Sequence, residues 1–169
     1  MKVLKNVKKY LSSKMSSKNL YRDLILDHAT NPRNKEKLNF FNKDTEGFNR
    51  LCGDNIHVFI HENNTMIDNI SFLGNGCAIC IASASLMTET LKGKLESDAM
   101  VLINYFLDLV KNKNNEVSIK IDKVNQSSLE AFKSIVDFPM RAKCATLPWI
   151  TAETTIKNKN KKFNIEDYK

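Results

Sequence analysis

The chain has 169 residues, of which 42% are hydrophobic and 27% charged, with a formal net charge of +7. This length and composition predict one globular domain that can bury a core without the help of disulfides or a metal. The sequence contains no apolar run of about 18 residues, the length that a helix needs to span a bilayer. The N-terminus lacks the apolar block of a secretory signal, so we expect a cytoplasmic protein whose four cysteines are free for metal binding or chemistry.

The excess positive charge lies mostly at the two ends of the chain. It comes from Lys2, Lys5, Lys8, Lys9, Lys14 and Lys18 and from Lys157, Lys159, Lys161 and Lys162. No basic-aromatic alternation, helix-turn-helix pattern or Cys/His finger accompanies it, so an acidic protein partner is favoured over nucleic acid. We therefore predict a basic extension at 1–18, a domain at 19–157 and a basic tail at 158–169, with a short amphipathic helix at 3–11.

The first element of the predicted domain is a helix that Ser16 or Ser17 caps. It ends near Thr30, because the Asn31-Pro32 pair restricts the backbone before proline. A weak strand at 40–48 follows. Strict alternation predicts a second strand at 56–61, a turn at 62–65 and a return strand at 67–73 that ends at the glycines of 74–76.

This hairpin brings two distant cysteines together. The loop before its first strand and the loop after its second lie at the same end of the sheet, because antiparallel strands fold back on each other. Cys52 is in the first loop and Cys77 in the second. Cys52-Gly53-Asp54 also places a thiol and a carboxylate on either side of a glycine, which can adopt the positive φ of a tight turn.

The second half of the chain reads as mostly helical. Helices are predicted at 77–91, ended by Gly93, at 98–110, and from a Ser127 or Ser128 cap to Val136, with possible extended structure at 117–121. A final helix that starts near Cys144 runs through Trp149 to Thr155. The positive ends of their helices should then stabilise thiolates at Cys77 and Cys144.

The predicted fold class is α+β, with a small antiparallel sheet of about three strands and helices packed on one face. Three cysteines, Cys52, Cys77 and Cys144, and the carboxylate of Asp54 could converge at one end of this sheet. Three soft sulfurs and one hard oxygen suit a transition metal that must stay chemically accessible.

Six groups of residues follow one another in an order typical of a known family. They are Leu20-Tyr21-Arg22-Asp23, Asp27-His28 with Asn31-Pro32-Arg33-Asn34, Cys52-Gly53-Asp54, Gly76-Cys77 with Ile81-Ala82-Ser83-Ala84-Ser85, Lys92-Gly93-Lys94, and Arg141-Ala142-Lys143-Cys144-Ala145-Thr146-Leu147. Over most of residues 19–157 the chain thus resembles the SufU/IscU family of iron-sulfur cluster assembly proteins, which is NifU N-terminal-like. The SufU branch is favoured, since Lys143 stands where the scaffold branch has a histidine.

The resemblance implies a zinc-dependent sulfurtransferase, a sulfur relay that stimulates a cysteine desulfurase of the SufS type and supplies downstream iron-sulfur assembly proteins. The residues that match its zinc ligands are Cys52, Asp54, Cys77 and Cys144, and Cys52 matches the sulfur acceptor. Arg141 and Lys143 are candidates to offset the negative charge, so Arg141 is assigned with Cys52 to the catalytic residues. The alternative is an IscU-like scaffold that assembles a transient [2Fe-2S] cluster, or binds iron, on the same ligands.

A purely structural zinc is disfavoured, because the cysteines are not arranged in paired Cys-x2-Cys knuckles. Four other residues, one cysteine and three histidines, have two interpretations each. Cys80 is either a further sulfur near the metal or a small core residue. His28 is expected to be structural, and His57 and His61 are expected on an exposed sheet face rather than as a metal pair.

Overall fold

A mixed sheet forms the centre of the fold. The computed structural model describes residues 17–111, 121–159 and 161–168. Its strands are β1 (Lys43–Asn49), β2 (Asp54–Asn63), β3 (Met66–Asn75) and β4 (Lys162–Asn164). The spatial order is β3-β2-β1-β4, in which β4 runs parallel to β1 and the other pairs are antiparallel. The predicted α+β class is confirmed, and with β4 the described residues form four strands rather than about three.

The helices cover the sheet on its apolar face. They are α1 (Ser17–Thr30), α2 (Ala78–Leu91), α3 (Glu96–Lys111), α4 (Lys123–Glu130) and α5 (Pro139–Ile156), with short 3-10 helices at Lys133–Asp137 and Ile165–Asp167. The alternating residues Ile56, Val58 and Ile60 of β2 are fully buried in the same core as α2, α3 and α5. Because alternate side chains of a strand point to the same face, these three apolar side chains of β2 all face the helices.

The predicted hairpin is confirmed between β2 and β3. Its turn is Asn64 and Thr65, which have φ values of 48° and 63°. Two consecutive left-handed residues match a primed two-residue turn, whose twist suits antiparallel strands. The loop before β2 and the loop after β3 consequently lie at one end of the sheet.

The predicted serine cap of α4 is wrong. Asp122 caps this helix instead, and its carboxylate accepts a hydrogen bond from the Asn125 N–H at 3.0 Å. Ser127 and Ser128 lie inside the helix, which ends at Glu130 before the 3-10 turn. A carboxylate at the N-cap both accepts a backbone N–H and faces the positive helix end, which favours the earlier start.

Part of the segment predicted as a basic tail, 158–169, contributes to the fold. Lys162–Asn164 pairs with β1, and Ile165 is buried in the core. The predicted helix at 3–11 and most of the possible extended segment at 117–121 lie outside the described residues. Within the described part of the chain, no helix is both long and apolar enough to cross a membrane.

His28 ties α1 to α2, as expected of a structural residue. It is 4% exposed, and its Nδ1 is 2.7 Å from the hydroxyl of Ser85. That hydroxyl accepts the Arg33 backbone N–H at 2.8 Å, so its own proton points to Nδ1. Burial, assisted by the nearby Arg33 charge and opposed by Asp27, lowers the pKa of His28 to about 4. The imidazole is therefore neutral at pH 7.

His28 should make stability fall in mild acid. Its pKa is about 4 when folded and 6.5 when unfolded, so between these values the unfolded state binds the extra proton and the free energy of unfolding falls as pH drops. The total loss is on the order of 3 kcal/mol once pH 4 is passed. Urea unfolding at pH 7 and pH 4.5 should show a smaller pH-dependent loss for His28→Gln than for the wild type.

The matched control is His61→Gln, since the His61 side chain is 41% exposed. This variant removes an exposed histidine and leaves the buried contact between His28 and Ser85 in place. Equal acid sensitivity of the wild type and His28→Gln would contradict the role given to His28.

Candidate metal centre

The candidate site forms where the β1-β2 loop, the start of α2 and the body of α5 meet. Cys52 lies in the β1-β2 loop, and Asp54 is the first residue of β2. Gly53 between them has φ +74°, a left-handed value that suits glycine and lets the loop turn within three residues. Cys77 is the N-cap of α2, and Cys144 is on α5.

Three of these residues present ligand atoms to one point. The sulfurs of Cys52 and Cys144 and a carboxylate oxygen of Asp54 all lie within 4.8 Å of one another. Cys77 is adjacent, because its backbone N–H donates to Asp54 Oδ1 at 3.1 Å. All four residues line an open cavity of about 590 Å³. The hairpin and two helices thus assemble residues that are far apart in sequence.

The carboxylate of Asp54 is suited to bind a cation. Asp54 is 3% exposed, and its Oδ1 accepts the Cys77 N–H. Its Oδ2 is buried and has no hydrogen-bond partner among the described residues. A buried carboxylate oxygen without a donor is costly, and a metal ion beside the sulfurs of Cys52 and Cys144 would satisfy it. The residues present therefore fit a metal ion.

The sulfurs differ in exposure and in acidity. Cys52 and Cys77 are exposed, whereas Cys144 is buried. A hydrogen bond from the Cys144 thiol, with the backbone N–H groups of Cys80 and Ile79, lowers the pKa of Cys77 against the opposing effects of burial and Asp54. The same hydrogen bond and burial raise the pKa of Cys144. Both pKa shifts favour the thiolate at Cys77 over the thiolate at Cys144.

The prediction that a helix end stabilises a Cys144 thiolate is wrong. Helix α5 begins at Pro139, whose fixed φ suits the first helical position, so Cys144 lies more than one turn inside it. The N–H groups there are already bonded within the helix and are not available to the sulfur. The same prediction holds for Cys77, which occupies the N-cap of α2.

Residues 20–145 match the family model described as the NifU-like N terminal domain. The chain belongs to this family. A Bacillus subtilis protein named zinc-dependent sulfurtransferase SufU is 37% identical over 79% of this chain and 87% of its own length. A Streptococcus pyogenes protein named iron-sulfur cluster assembly scaffold protein IscU is 30% identical over 82% and 83% respectively.

The fold is also shared with a solved structure of a relative. The crystal structure of a putative iron-sulfur cluster assembly scaffold protein for the SUF system, from Fervidobacterium islandicum, superimposes with a TM-score of 0.70. That protein is 27% identical, and the match covers 83% of this chain and 99% of the other. The likeness to the SufU/IscU family inferred from six sequence groups is thus confirmed.

Two basic residues near the NifU-like site have different surroundings. Arg141 lines the cavity, and its guanidinium carbon lies 5.0 Å from the centre of the Phe138 ring. Lys143 donates to Glu166 at 2.7 Å and is not among the cavity-lining residues. Of these two residues, Arg141 is the one that lines the same cavity as the cysteines.

The other residues of the NifU-like domain considered as metal ligands are two histidines paired with carboxylates and one buried cysteine. His57 Nε2 lies 2.9 Å from Asp44, and His61 Nδ1 lies 3.8 Å from Asp68. The two histidines therefore contact different carboxylates. Cys80 is fully buried within the core, and burial and the neighbouring acidic groups raise its pKa.

Sequence reasoning treated Gly76 as the end of a strand and as part of a family motif, but did not place it at the site, which it borders. A Cβ there would lie 3.0 Å from Asp54 Oδ1 and 3.0 Å from Cys80 Sγ. Any side chain would push against both atoms. The available signal was the position of this glycine directly before a predicted ligand.

Proposed function

We propose that this NifU-like domain is a zinc-dependent sulfurtransferase that accepts persulfide sulfur from a cysteine desulfurase for iron-sulfur cluster assembly. The observation that carries the proposal is the exposed thiol of Cys52 near a buried carboxylate oxygen of Asp54 that has no hydrogen-bond partner in the described part of the chain. One residue can meet a partner protein, and the other is suited to a bound cation. The name of the Bacillus subtilis relative supports the same activity.

In this proposal Cys52, Asp54, Cys77 and Cys144 hold the metal. Zinc has no redox chemistry and exchanges ligands readily, so when bound it keeps thiolates unprotonated at neutral pH. Cys144 and Asp54 are buried, and the Asp54 carboxylate is held by the Cys77 N–H. These contacts favour Asp54, Cys77 and Cys144 as the ligands that stay on the metal. The exposed Cys52 is then the ligand that can leave the metal and reach a partner.

Cys52 then acts as the nucleophile. Its thiolate attacks the terminal sulfur of the persulfide on the desulfurase. A bond forms between Cys52 Sγ and that sulfur, the sulfur-sulfur bond of the donor breaks, and the desulfurase cysteine leaves as a thiolate. The exposure of Cys52 on a loop is what this reaction requires, because the partner must reach the sulfur.

Arg141 is proposed to offset the negative charge of the ligands. Since Arg141 is exposed, Arg141→Ala should lower the rate of sulfur acceptance only modestly, on the order of fivefold, or weaken metal retention to a similar degree. Both can be measured, as persulfide formed per minute and as zinc lost to a chelator. Lys143→Ala is the matched control and should change neither. If Arg141→Ala is also unchanged, Arg141 is not part of the site.

The second candidate function is a scaffold that assembles a [2Fe-2S] cluster on the same residues. The relatives named as scaffold proteins favour it, and Asp54 would keep such a cluster labile, because a carboxylate binds iron less tightly than a thiolate does. Purification without oxygen followed by metal analysis separates the two. Stoichiometric zinc and a colourless protein support the sulfurtransferase, whereas iron with a visible chromophore supports the scaffold.

A partner assay tests the proposed activity itself. The SufS-type desulfurase should release sulfur from cysteine faster when this protein is added, and the two should be recovered together in a pulldown. We also propose a cytoplasmic location, because free thiols persist in a reducing compartment. Residues 19–157 are proposed as the functional unit, with structural support from the pairing of Lys162–Asn164 with β1, and 1–18 are proposed as an extension.

A further inference from the structure

Cys77 and Cys80 lie three residues apart, and only Cys77 has a part in the proposed sulfur transfer. Cys77 is the N-cap of α2, with φ −65° and ψ 166°, and its carbonyl accepts the Ile81 N–H at 3.1 Å. Cys80 follows in the first turn of the same helix. Cys77 is exposed, whereas Cys80 is fully buried. An exposed and a buried cysteine thus lie three residues apart at one helix end.

Helix geometry places this pair within reach of a covalent bond. Residues three apart on an α-helix have Cα atoms about 5 Å apart, within the roughly 4.4–6.8 Å that disulfides span. Helical side chains lean toward the N-terminus, so Cys80 leans toward Cys77. Accordingly, Cys80 Sγ lies 3.0 Å from the position that a Cβ on Gly76 would occupy. The missing side chain of Gly76 leaves space for that sulfur beneath the helix start.

We propose that Cys77 and Cys80 form a reversible disulfide when no metal is bound, so that this helix end is a thiol-disulfide site. This goes beyond the proposed function, in which Cys80 has no part. Only the protecting effect of a metal rests on the proposed ligand role of Cys77. Oxidised Cys77 cannot donate a thiolate to a metal, so the disulfide and the metal-bound site exclude each other.

The reaction needs a low-molecular-weight disulfide as oxidant. The Cys77 thiolate attacks one sulfur of that disulfide, forming a mixed disulfide and releasing the first small thiolate. Cys80, after losing its proton to solvent, attacks the Cys77 sulfur and releases the second small thiolate. Two protein thiols have then lost two electrons and two protons, and the small disulfide has been reduced to two thiols. The exposure of Cys77 makes it the entry point, and the burial of Cys80 limits it to the second step.

The probe is oxidised glutathione, applied to the full chain after zinc removal by a chelator and, in parallel, to the zinc-loaded chain. Trypsin does not separate the relevant cysteines, because no Lys or Arg lies between Cys52 and Cys80. Chymotrypsin can cleave after Phe72, which leaves Cys52 on one fragment and the pair together on another. In the zinc-free chain we expect that second fragment to be lighter by two hydrogens, and dithiothreitol to restore its mass.

Cys80→Ser is the matched variant, since it keeps the size of the side chain and removes only the second sulfur. It should stop at the glutathione adduct on Cys77. The proposal is overturned if the wild type also stops at that adduct, or if Cys77 is found joined to the fragment that carries Cys52 or to the one that carries Cys144. Native far-UV circular dichroism of the zinc-free chain confirms that the result concerns folded protein.

The zinc-loaded arm separates this proposal from the proposed function. Protection of Cys77 by zinc, with oxidation at least about tenfold slower, supports its ligand role together with the pairing. Equal oxidation with and without zinc would remove Cys77 from the ligands, while a disulfide confined to the pair would still establish the thiol-disulfide site.

Discussion

Replacing Cys52 with alanine is expected to abolish sulfur acceptance and to return the desulfurase to the rate that it has alone. Cys52 is exposed on the β1-β2 loop, whereas Cys144 is buried and the exposed Cys77 is engaged by Cys144 and by the N–H groups of its own helix. Among the described cysteines, Cys52 alone is both exposed and located in a loop outside α2 and α5. The measurement is the rate of sulfide release by the desulfurase, together with persulfide on this protein detected by mass spectrometry.

Cys80→Ser is the control for this experiment under reducing conditions. The Cys80 sulfur of the wild type is fully buried, so this variant should leave the stimulation of the desulfurase unchanged. Full stimulation by Cys52→Ala would contradict the sulfurtransferase proposal. Loss of stimulation in both variants would instead indicate damage to the whole site.

Replacing Asp54 with cysteine is expected to trap the metal. Four thiolates bind zinc more tightly than three thiolates and a carboxylate do. We expect zinc to be released to a chelator at least about tenfold more slowly, which corresponds to ~1.4 kcal/mol, and sulfur acceptance to fall because Cys52 leaves the metal less readily. The release can be followed with a chromogenic zinc chelator.

Asp54→Asn is the matched variant of opposite sign. It keeps an oxygen that can accept the Cys77 N–H but removes the charge from the buried position. Zinc should then be lost faster than from the wild type. If both variants release zinc at the wild-type rate, Asp54 is not a ligand, and its unpartnered oxygen needs another explanation.

Several elements were predictable because the signals that define them are local. The turn at Asn64 and Thr65 follows from a polar, asparagine-containing stretch between two apolar strands. Helix α1 ends where Asn31-Pro32 interrupts it, and α2 ends just before Gly93. From the hairpin alone, Cys52 and Cys77 could be placed at one end of the sheet. The order of six groups of residues along the chain indicated the family.

Other features depended on contacts that have no local signal. Strand β4 pairs with β1 across most of the chain length, and its short run of Lys162, Phe163 and Asn164 resembles a tail in sequence. Cys144 was expected at a helix start, but α5 begins earlier at Pro139. The pairing of Lys143 with Glu166 likewise exists only because the C-terminal segment returns to α5.

The sequence by itself determined the α+β class, the hairpin and the residue types of the candidate site, since periodicity, turn chemistry and motif order act over short stretches. Only the tertiary structure decided which of those residues are exposed, which are buried and which have hydrogen-bond partners. Burial left Asp54 with an oxygen that has no hydrogen-bond partner among the described residues, joined the Cys77 hydrogen bond in raising the pKa of Cys144, and enclosed Cys80, while Cys52 stayed exposed to solvent. Exposure and hydrogen-bond satisfaction depend on what packs against a side chain, and that is set by elements far away in the chain.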